Sequence, residues 1–548
     1  MRFRNSRDYF GLESNLSRGM ALNTATSKGF HAAPGTHLSH AYNFKRVRRI
    51  LHRSQQCSHQ LLQSHQAELL ISYRSCRDSR LGCPSQRGAR RYSLQLLSSS
   101  SVCDTKTRME SASTNRPSHN LVRAIGRWSL AALVVNSIIG SGVFGLPSVV
   151  AGLLGRASVL AVLLAGVAIA IVMACFAEVA SQFTEPGGPY LYVRVAFGRL
   201  LGIQVGWLAW LVRIASGAAN ANLFVVYMGE FWVGARQLLP RLLILTLLIG
   251  ILAAINYRGV RMGTHVSNAF TVAKLLPLGL VCVAGAVYLL AHGAVPTARV
   301  VPEGNAWLHA LVLMVFAYGG FEAALMPMGE AKDPRRDAAF ALFAALGICT
   351  AIYALIQWDV VGLLSDPGHG DRPLADVARI VMGRGGAALV AVGALISVYG
   401  NVGAGILGIP RMTFALAERG DFPSWFGAIH PRFRTPYFSI LVFALLVWLM
   451  ALFGNFAGNA TLSAVARLSY YGLVCAALPV LRRKQPNAAG FRLPGGVIFA
   501  ALGVLLCFGL LFRTDLSHSL ILVATIALAF VNWAVVARKS WRTQAPEK

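Results

Sequence analysis

Beyond a polar stretch rich in Ser, Arg, His and Gln, the chain becomes a succession of long apolar runs separated by short polar connections. A helix of about 20 mostly apolar residues crosses a hydrocarbon core of about 30 Å. Runs near that length predict twelve membrane helices: Trp128–Gly152, Ala157–Ala180, Leu201–Tyr227, Leu242–Asn256, Ala269–Leu290, Trp307–Met328, Ala338–Leu363, Gly386–Ile409, Phe438–Phe453, Ala460–Val480, Val497–Phe512 and Leu520–Val536. The sequence thus predicts an all-α integral membrane protein.

Two of the runs are interrupted. In the first, Gly140, Ser141, Gly142, Gly145 and Pro147 stand mid-span, where Gly and Pro weaken helical continuity. In the sixth, Gly319-Gly320 is followed by an ionisable group, Glu322. An unpartnered backbone group costs several kcal/mol in lipid, so a break is tolerated only where it lines a protein-walled cavity. If runs one to five and six to ten form two inverted repeats, these breaks hold corresponding first positions and mark a midplane binding site. A half-helix starting near Gly142 would turn free N–H groups toward a carboxylate. Half-helices ending near Ile139 and Tyr318 would offer carbonyls to an ammonium. An α-amino acid carries both charges. The competing reading is that the glycines serve close helix packing, which accounts for paired mid-span clusters less well.

Composition agrees with a bilayer environment: of 548 residues, 55% are hydrophobic and 13% charged, with a mean hydropathy of +0.54, beyond what a soluble domain of this size tolerates. The net charge of +29 raises the question of a nucleic-acid partner, but its distribution answers otherwise. Residues 1–108 hold 18 Lys/Arg against 5 Asp/Glu, and the remaining excess lies mainly in short loops. Residues 1–118 are expected to be a disordered or extraneous leader and 119–548 the membrane domain, with Met109 as a candidate translation start. With the N-terminus inside, cytoplasmic segments from Arg123 onward carry 21 Lys/Arg and the opposite loops 8. Positive residues are retained inside, so both termini are expected on the cytoplasmic side of the cell inner (plasma) membrane. The nine cysteines show no metal spacing and no phosphate-binding or zinc-protease motif is present, which leaves enzymatic chemistry, a cofactor and a metal without support.

Four separated segments resemble the amino acid/polyamine/organocation transporter superfamily: Ile139-Gly-Ser-Gly-Val-Phe; Phe176-Ala-Glu178-Val-Ala-Ser-Gln-Phe with Pro186-Gly-Gly-Pro-Tyr190; Phe316 to Glu322 continuing through Gly329-Glu330 to Arg336; and Arg411 to Gly420 with Pro423 and Thr435-Pro436. They occur in the family's order, and the resemblance runs from about Arg127 to Lys484. It implies a five-plus-five inverted repeat with discontinuous helices 1 and 6 plus two extra helices. Ala339 departs from the pattern, standing where relatives usually have proline.

Candidate substrate-binding residues are Ile139, Gly140, Ser141, Gly142, Phe316, Tyr318, Gly319 and Gly320 at the breaks, with Asn220 and Asn401 as polar groups on neighbouring runs. The resemblance implies that Phe316 closes over substrate; plain packing is the alternative. Lys274 lies inside the fifth run, where an ionisable group is functional by default. Desolvation favours its neutral form, so it is a candidate proton carrier, a role the resemblance also implies; the alternative is a lysine snorkelling to an interface. Glu322 is the second proton-coupling candidate, or else the buried partner of Lys274 or Arg467. Arg213, Asp359 and Arg467 are intramembrane charges whose partners the sequence does not name. No anion besides Glu322 marks a pocket for cationic substrates, which favours neutral amino acids.

The expected function is proton-coupled secondary transport of an amino acid, with protons and the bilayer as the other partners and the oligomeric state open. An amino acid/polyamine exchanger and a transporter-like nutrient sensor are the alternatives.

Overall fold

The computed structural model describes residues 126–544 apart from 184–186, 260–263, 298–299, 326–332, 487 and 513–514, and gives backbone alone at 264–273, 334–335 and 538–544. The leader, Met109 and the Gly329-Glu330 part of the third motif lie outside the described residues.

All regular structure among the described residues is helical. The first run is two helices, α1 (Arg127–Ile138) and α2 (Ser141–Leu154). The second is α3 (Ser158–Ser181), followed by a short α4 (Gly188–Phe197) that hydropathy does not reveal. Next come α5 (Arg199–Met228), α6 (Leu238–Tyr257) and α7 (Thr264–His292). The sixth run is again divided, into α8 (Gly304–Tyr318) and the single turn α9 (Phe321–Ala324). The remainder are α10 (Pro334–Leu363), α11 (Pro373–Glu418), α12 (Tyr437–Phe453), α13 (Phe456–Lys484), α14 (Gly496–Leu511) and α15 (Leu516–Gln544). Nine helical segments among the described residues are long and apolar enough to cross a membrane, and α12 and α14 are shorter apolar helices.

Local chemistry sets several ends. The Asn455 side chain accepts from the Gly458 N–H at 2.7 Å and caps α13, satisfying one of its orphan donors, while Arg482, Arg483 and Lys484 lie in its last turn, where cations complement the helix dipole. Pro334 and Pro373 open α10 and α11, positions where the missing N–H is an orphan anyway. The eighth run is longer than its apolar stretch: α11 begins at Pro373 and bends at Gly383, φ +71°.

Burial divides the helices. Leu239, Leu243, Leu247 and Ile251 on α6 recur every four residues and are at least half exposed; so are Leu276, Val283, Val287 and Leu290 on α7. Such apolar stripes suit contact with lipid. By contrast α13 is mostly buried and packs against α5, α8 and α14. Around the divided helices, α2 lies on α8, α1 on α9 and α10, and α11 on α5 and α7.

Connections assigned to one side by their Lys/Arg content meet one another. Asp421 is held by Arg194 and by Arg199, the latter at 2.7 Å, and Lys484 Nζ donates to the Ala196 carbonyl at 2.9 Å. Arg482 grips Glu178 through two bonds of 2.6 and 2.7 Å. On the other set, Arg236 pairs with Asp371 at 2.6 Å and Arg379 with Glu230 at 2.6 Å. No ion pair among the described residues joins the two sets. Glu178 thus braces a loop, as its place in the second motif suggests: it also accepts from the Leu493 N–H at 2.8 Å.

Candidate functional site

The α1–α2 and α8–α9 interruptions lie against one another. At the first, Gly140 leaves helical geometry, with φ −123° and ψ −143°. At the second, Gly320 takes φ +113°, a conformation glycine adopts without the penalty of a Cβ. The two breaks touch: a Cβ on Gly320 would run into the Ser137 carbonyl, and one on Gly142 would stand 2.9 Å from Ala317 Cα. Close approach of backbones is therefore a requirement at these glycines, and the packing reading holds together with the cavity reading.

Between the breaks lies a cavity of about 370 Å³, within the size range of small-molecule sites. Gly140, Ser141, Gly142, Phe316, Gly319 and Gly320 line it, as do Asn220 and Asn401. Ser141 stands at the N-terminus of α2, where free N–H groups and the dipole favour an anion. Its Oγ and the Asn220 Oδ1 have no hydrogen-bond partner among the described residues. Phe316 meets Phe456 edge to face, ring centroids 6.3 Å apart, and Phe456 lines a separate cavity of about 400 Å³ beyond it. On the other side, Arg213, Gly408 and Met412 line both the central cavity and a third, of about 350 Å³. Those three residues are the partition between them.

Two candidates do not line the cavity. Ile139 is fully buried, and its carbonyl is occupied by Lys274, whose Nζ donates at 2.9 Å to Ile139 O and at 2.9 Å to Asn136 O. The Tyr318 side chain is also buried, its hydroxyl donating to Val162 O at 3.0 Å. The expectation that the α1 end presents a free carbonyl at Ile139 is therefore corrected. At α1 two carbonyls hold an internal ammonium, and the Tyr353 hydroxyl lies 3.2 Å from Ile138 O and 3.1 Å from Ala317 O. Lys274 is 4% exposed; at such a depth it does not snorkel. Its partners are backbone oxygens, and the pairing with Glu322 weighed from the sequence is absent.

Glu322 has other partners. Its carboxylate lies 3.3 Å from Arg213 Nη2 and 3.3 Å from Arg467 Nε. It accepts from the Gly320 N–H at 2.9 Å and from the hydroxyls of Tyr470 at 3.2 Å and Tyr471 at 2.9 Å. A buried charge persists only when paired and hydrogen-bonded, and this one is fully engaged. The pairing of Glu322 with Arg467 is one weighed from the sequence, and Arg213 is the counterion the sequence does not name; the excess of the two arginines over Glu322 is the available signal. Tyr353, Tyr470 and Tyr471 left no trace, because an aromatic residue in an apolar run looks like packing. Ser216 bonds Ser463 across helices at 2.8 Å, and Asn220 Nδ2 donates to the Ser216 carbonyl at 2.7 Å. Asp359 is buried, with no hydrogen-bond partner for either carboxylate oxygen among the described residues.

A bundle of apolar helices interrupted twice around a central polar cavity defines a multi-pass membrane transporter. The family assignment is direct: residues 125–531 match the amino acid permease family model, and the chain belongs to that family. These are transporters rather than enzymes. Among curated relatives, the chain is 26% identical over 449 residues to a methylthioribose transporter of Bacillus subtilis, an alignment covering 79% of this chain and 95% of that protein. It is 28% identical to a serine/threonine exchanger of the same organism, with 67% and 85% covered. It is 24% identical to a branched-chain amino acid permease, also from Bacillus subtilis, with 77% and 94% covered.

Proposed function

We propose that the chain is a secondary active transporter of amino acids, driven by protons, with twelve membrane helices arranged as five plus five inverted repeats and two further helices. The reading places it in the cell inner membrane with both termini in the cytoplasm. The observation that carries it is the cavity of about 370 Å³ bounded by both helix interruptions. In this reading the substrate carboxylate sits at the α2 N-terminus over Gly140, Ser141 and Gly142. The amine faces the end of α1 at Asn136 and Ser137, since the Arg467 guanidinium lies over Gly319; Asn220 and Asn401 line the side-chain space, and Phe316 closes the cavity against Phe456. Separate cavities beyond Phe456 and beyond Arg213 supply the two routes that alternating access requires.

Lys274 is the proton carrier in this scheme. When charged, it fills the Asn136 and Ile139 carbonyls; on losing a proton, it gives up the charge that strengthens those bonds and leaves the carbonyls electrostatically available to a substrate ammonium. Proton movement and occupancy of the amine side are thereby linked through one helix end. Glu322, fully engaged with two arginines, fits a structural counterion better than a proton carrier. The test is uptake of labelled amino acids into proteoliposomes. Uptake is expected to rise with an inward-directed proton gradient and to collapse when the gradient is dissipated. Accumulation that needs internal amino acid and ignores the gradient would replace this reading with exchange, which the name of the serine/threonine relative favours.

A further inference from the structure

The charges on the cavity wall bear on what kind of amino acid it accepts. Arg467 lines the central cavity with its side chain 3% exposed. Its guanidinium lies directly over Gly319, where any Cβ would overlap it, so the missing side chain of the α8–α9 break is the space the guanidinium occupies. The contact with Glu322 is a charge contact without hydrogen-bond alignment: neither Nε nor Nη1 of Arg467 has a hydrogen-bond partner among the described residues. A buried guanidinium with unused N–H groups is costly to leave so. Nη1, which has no partner among the described residues, can donate a charge-assisted bond to a further acceptor such as a carboxylate.

Charge counting points the same way. Arg213 and Arg467 are the charged residues on the wall of the central cavity, and Glu322, which pairs with both, faces the third cavity instead. One carboxylate between two guanidiniums leaves a net positive charge, to which the α2 N-terminus adds its partial positive charge. Glu322 is also saturated by Gly320, Tyr470 and Tyr471 and has little capacity left for a substrate cation. A zwitterion with a neutral side chain satisfies the α2 terminus and leaves the Arg467 N–H groups unused; a basic side chain adds repulsion.

We infer that Arg467 is a specificity-determining residue that binds a second carboxylate, so that the substrate class is amino acids with an acidic side chain. This rests on the amino acid transport reading above, and it replaces the preference for neutral substrates drawn from the sequence, which had no means of setting Arg213 and Arg467 on one wall.

The test uses full-length protein in detergent and thermal stabilisation by each of the twenty amino acids, with glutamate against glutamine and aspartate against asparagine as near-isosteric pairs. The acid is expected to reach half-maximal stabilisation at a concentration at least about tenfold below its amide, with lysine and arginine weakest; tenfold corresponds to about 1.4 kcal/mol. Arg467→Gln is expected to erase the acid–amide difference and Arg467→Lys to retain part of it. Should Arg467→Gln fail to fold, the wild-type ratios decide. Amides equal to or better than acids, or a basic amino acid as the strongest ligand, would overturn the inference while leaving amino acid transport standing. Stabilisation by none of the twenty would overturn both.

Discussion

Replacing Gly142 by alanine sets two physical effects against each other. In a helix Ala is favoured over Gly by up to about 1 kcal/mol, and Gly142 lies in the first turn of α2 without a positive φ. Propensity alone therefore predicts a stabilised protein. The neighbouring helix reverses this. The new Cβ would stand 2.9 Å from Ala317 Cα and 3.3 Å from Ala317 Cβ, against about 3.5–4.0 Å for relaxed carbon contacts. α2 and α8 must part by roughly 0.6–1.1 Å to accept it. Overpacking of this kind costs about 1–3 kcal/mol, so the propensity gain is cancelled or exceeded. The displacement falls on both walls of the central cavity, where about 0.5 Å already matters to a binding geometry. Gly279→Ala is the control: the same chemical change inside α7, where nothing lies within 4 Å of the added atom, is expected to raise stability by up to about 1 kcal/mol. The assay is the apparent unfolding temperature of both variants in detergent, with amino acid uptake in proteoliposomes. Gly142→Ala should unfold below Gly279→Ala and lose most uptake. Equal stabilisation by both, with wild-type transport in Gly142→Ala, would refute the close approach of α2 and α8.

Lys274→Ala is expected to remove the dependence of uptake on the proton gradient while folded protein is still recovered, read as initial rates with the gradient present and dissipated; an unchanged dependence rules out Lys274 as carrier. Glu178→Ala leaves the Arg482 guanidinium and the Leu493 N–H without their buried acceptor, and removal of one member of a buried pair costs about 3–5 kcal/mol, so the yield of monodisperse protein and its unfolding temperature should fall sharply. Tyr353→Phe removes the hydroxyl beside both breaks with little change in shape. Its cost is expected at about 1–3 kcal/mol from the buried carbonyls left without their donor, measured as a loss of thermal stability together with weaker substrate binding.

Much of this architecture is legible in the sequence because a bilayer demands continuous apolar helices and punishes interruptions. The breaks at Gly140-Ser141-Gly142 and Gly319-Gly320 stand out for that reason, and the structure places them together. What escapes hydropathy is whatever is amphipathic or short. α4, with ten residues, reads as loop, and the start of α11 is disguised by Asp376, Arg379 and Arg384, although Leu374, Val377 and Ala378 are buried. Pairings are a different matter. Lys274 as an intramembrane cation is evident, but its partners are carbonyls of Asn136 and Ile139, and every residue type carries a carbonyl. Glu322 and Arg467 were open to pairing on charge alone; Arg213, more than one hundred positions before Glu322, joins them through the packing of α5 beside α13.

A phenol carries a single hydrogen, and the Tyr353 hydroxyl stands almost equally far from the Ile138 and Ala317 carbonyls. It can serve one of them well or both poorly. The loose ends of the two interrupted helices are thereby made rivals for one donor. Whatever satisfies the Ile138 carbonyl from inside the cavity releases the hydroxyl to Ala317, so rotation about one C–O bond is enough to carry a preference from one half of the bundle to the other.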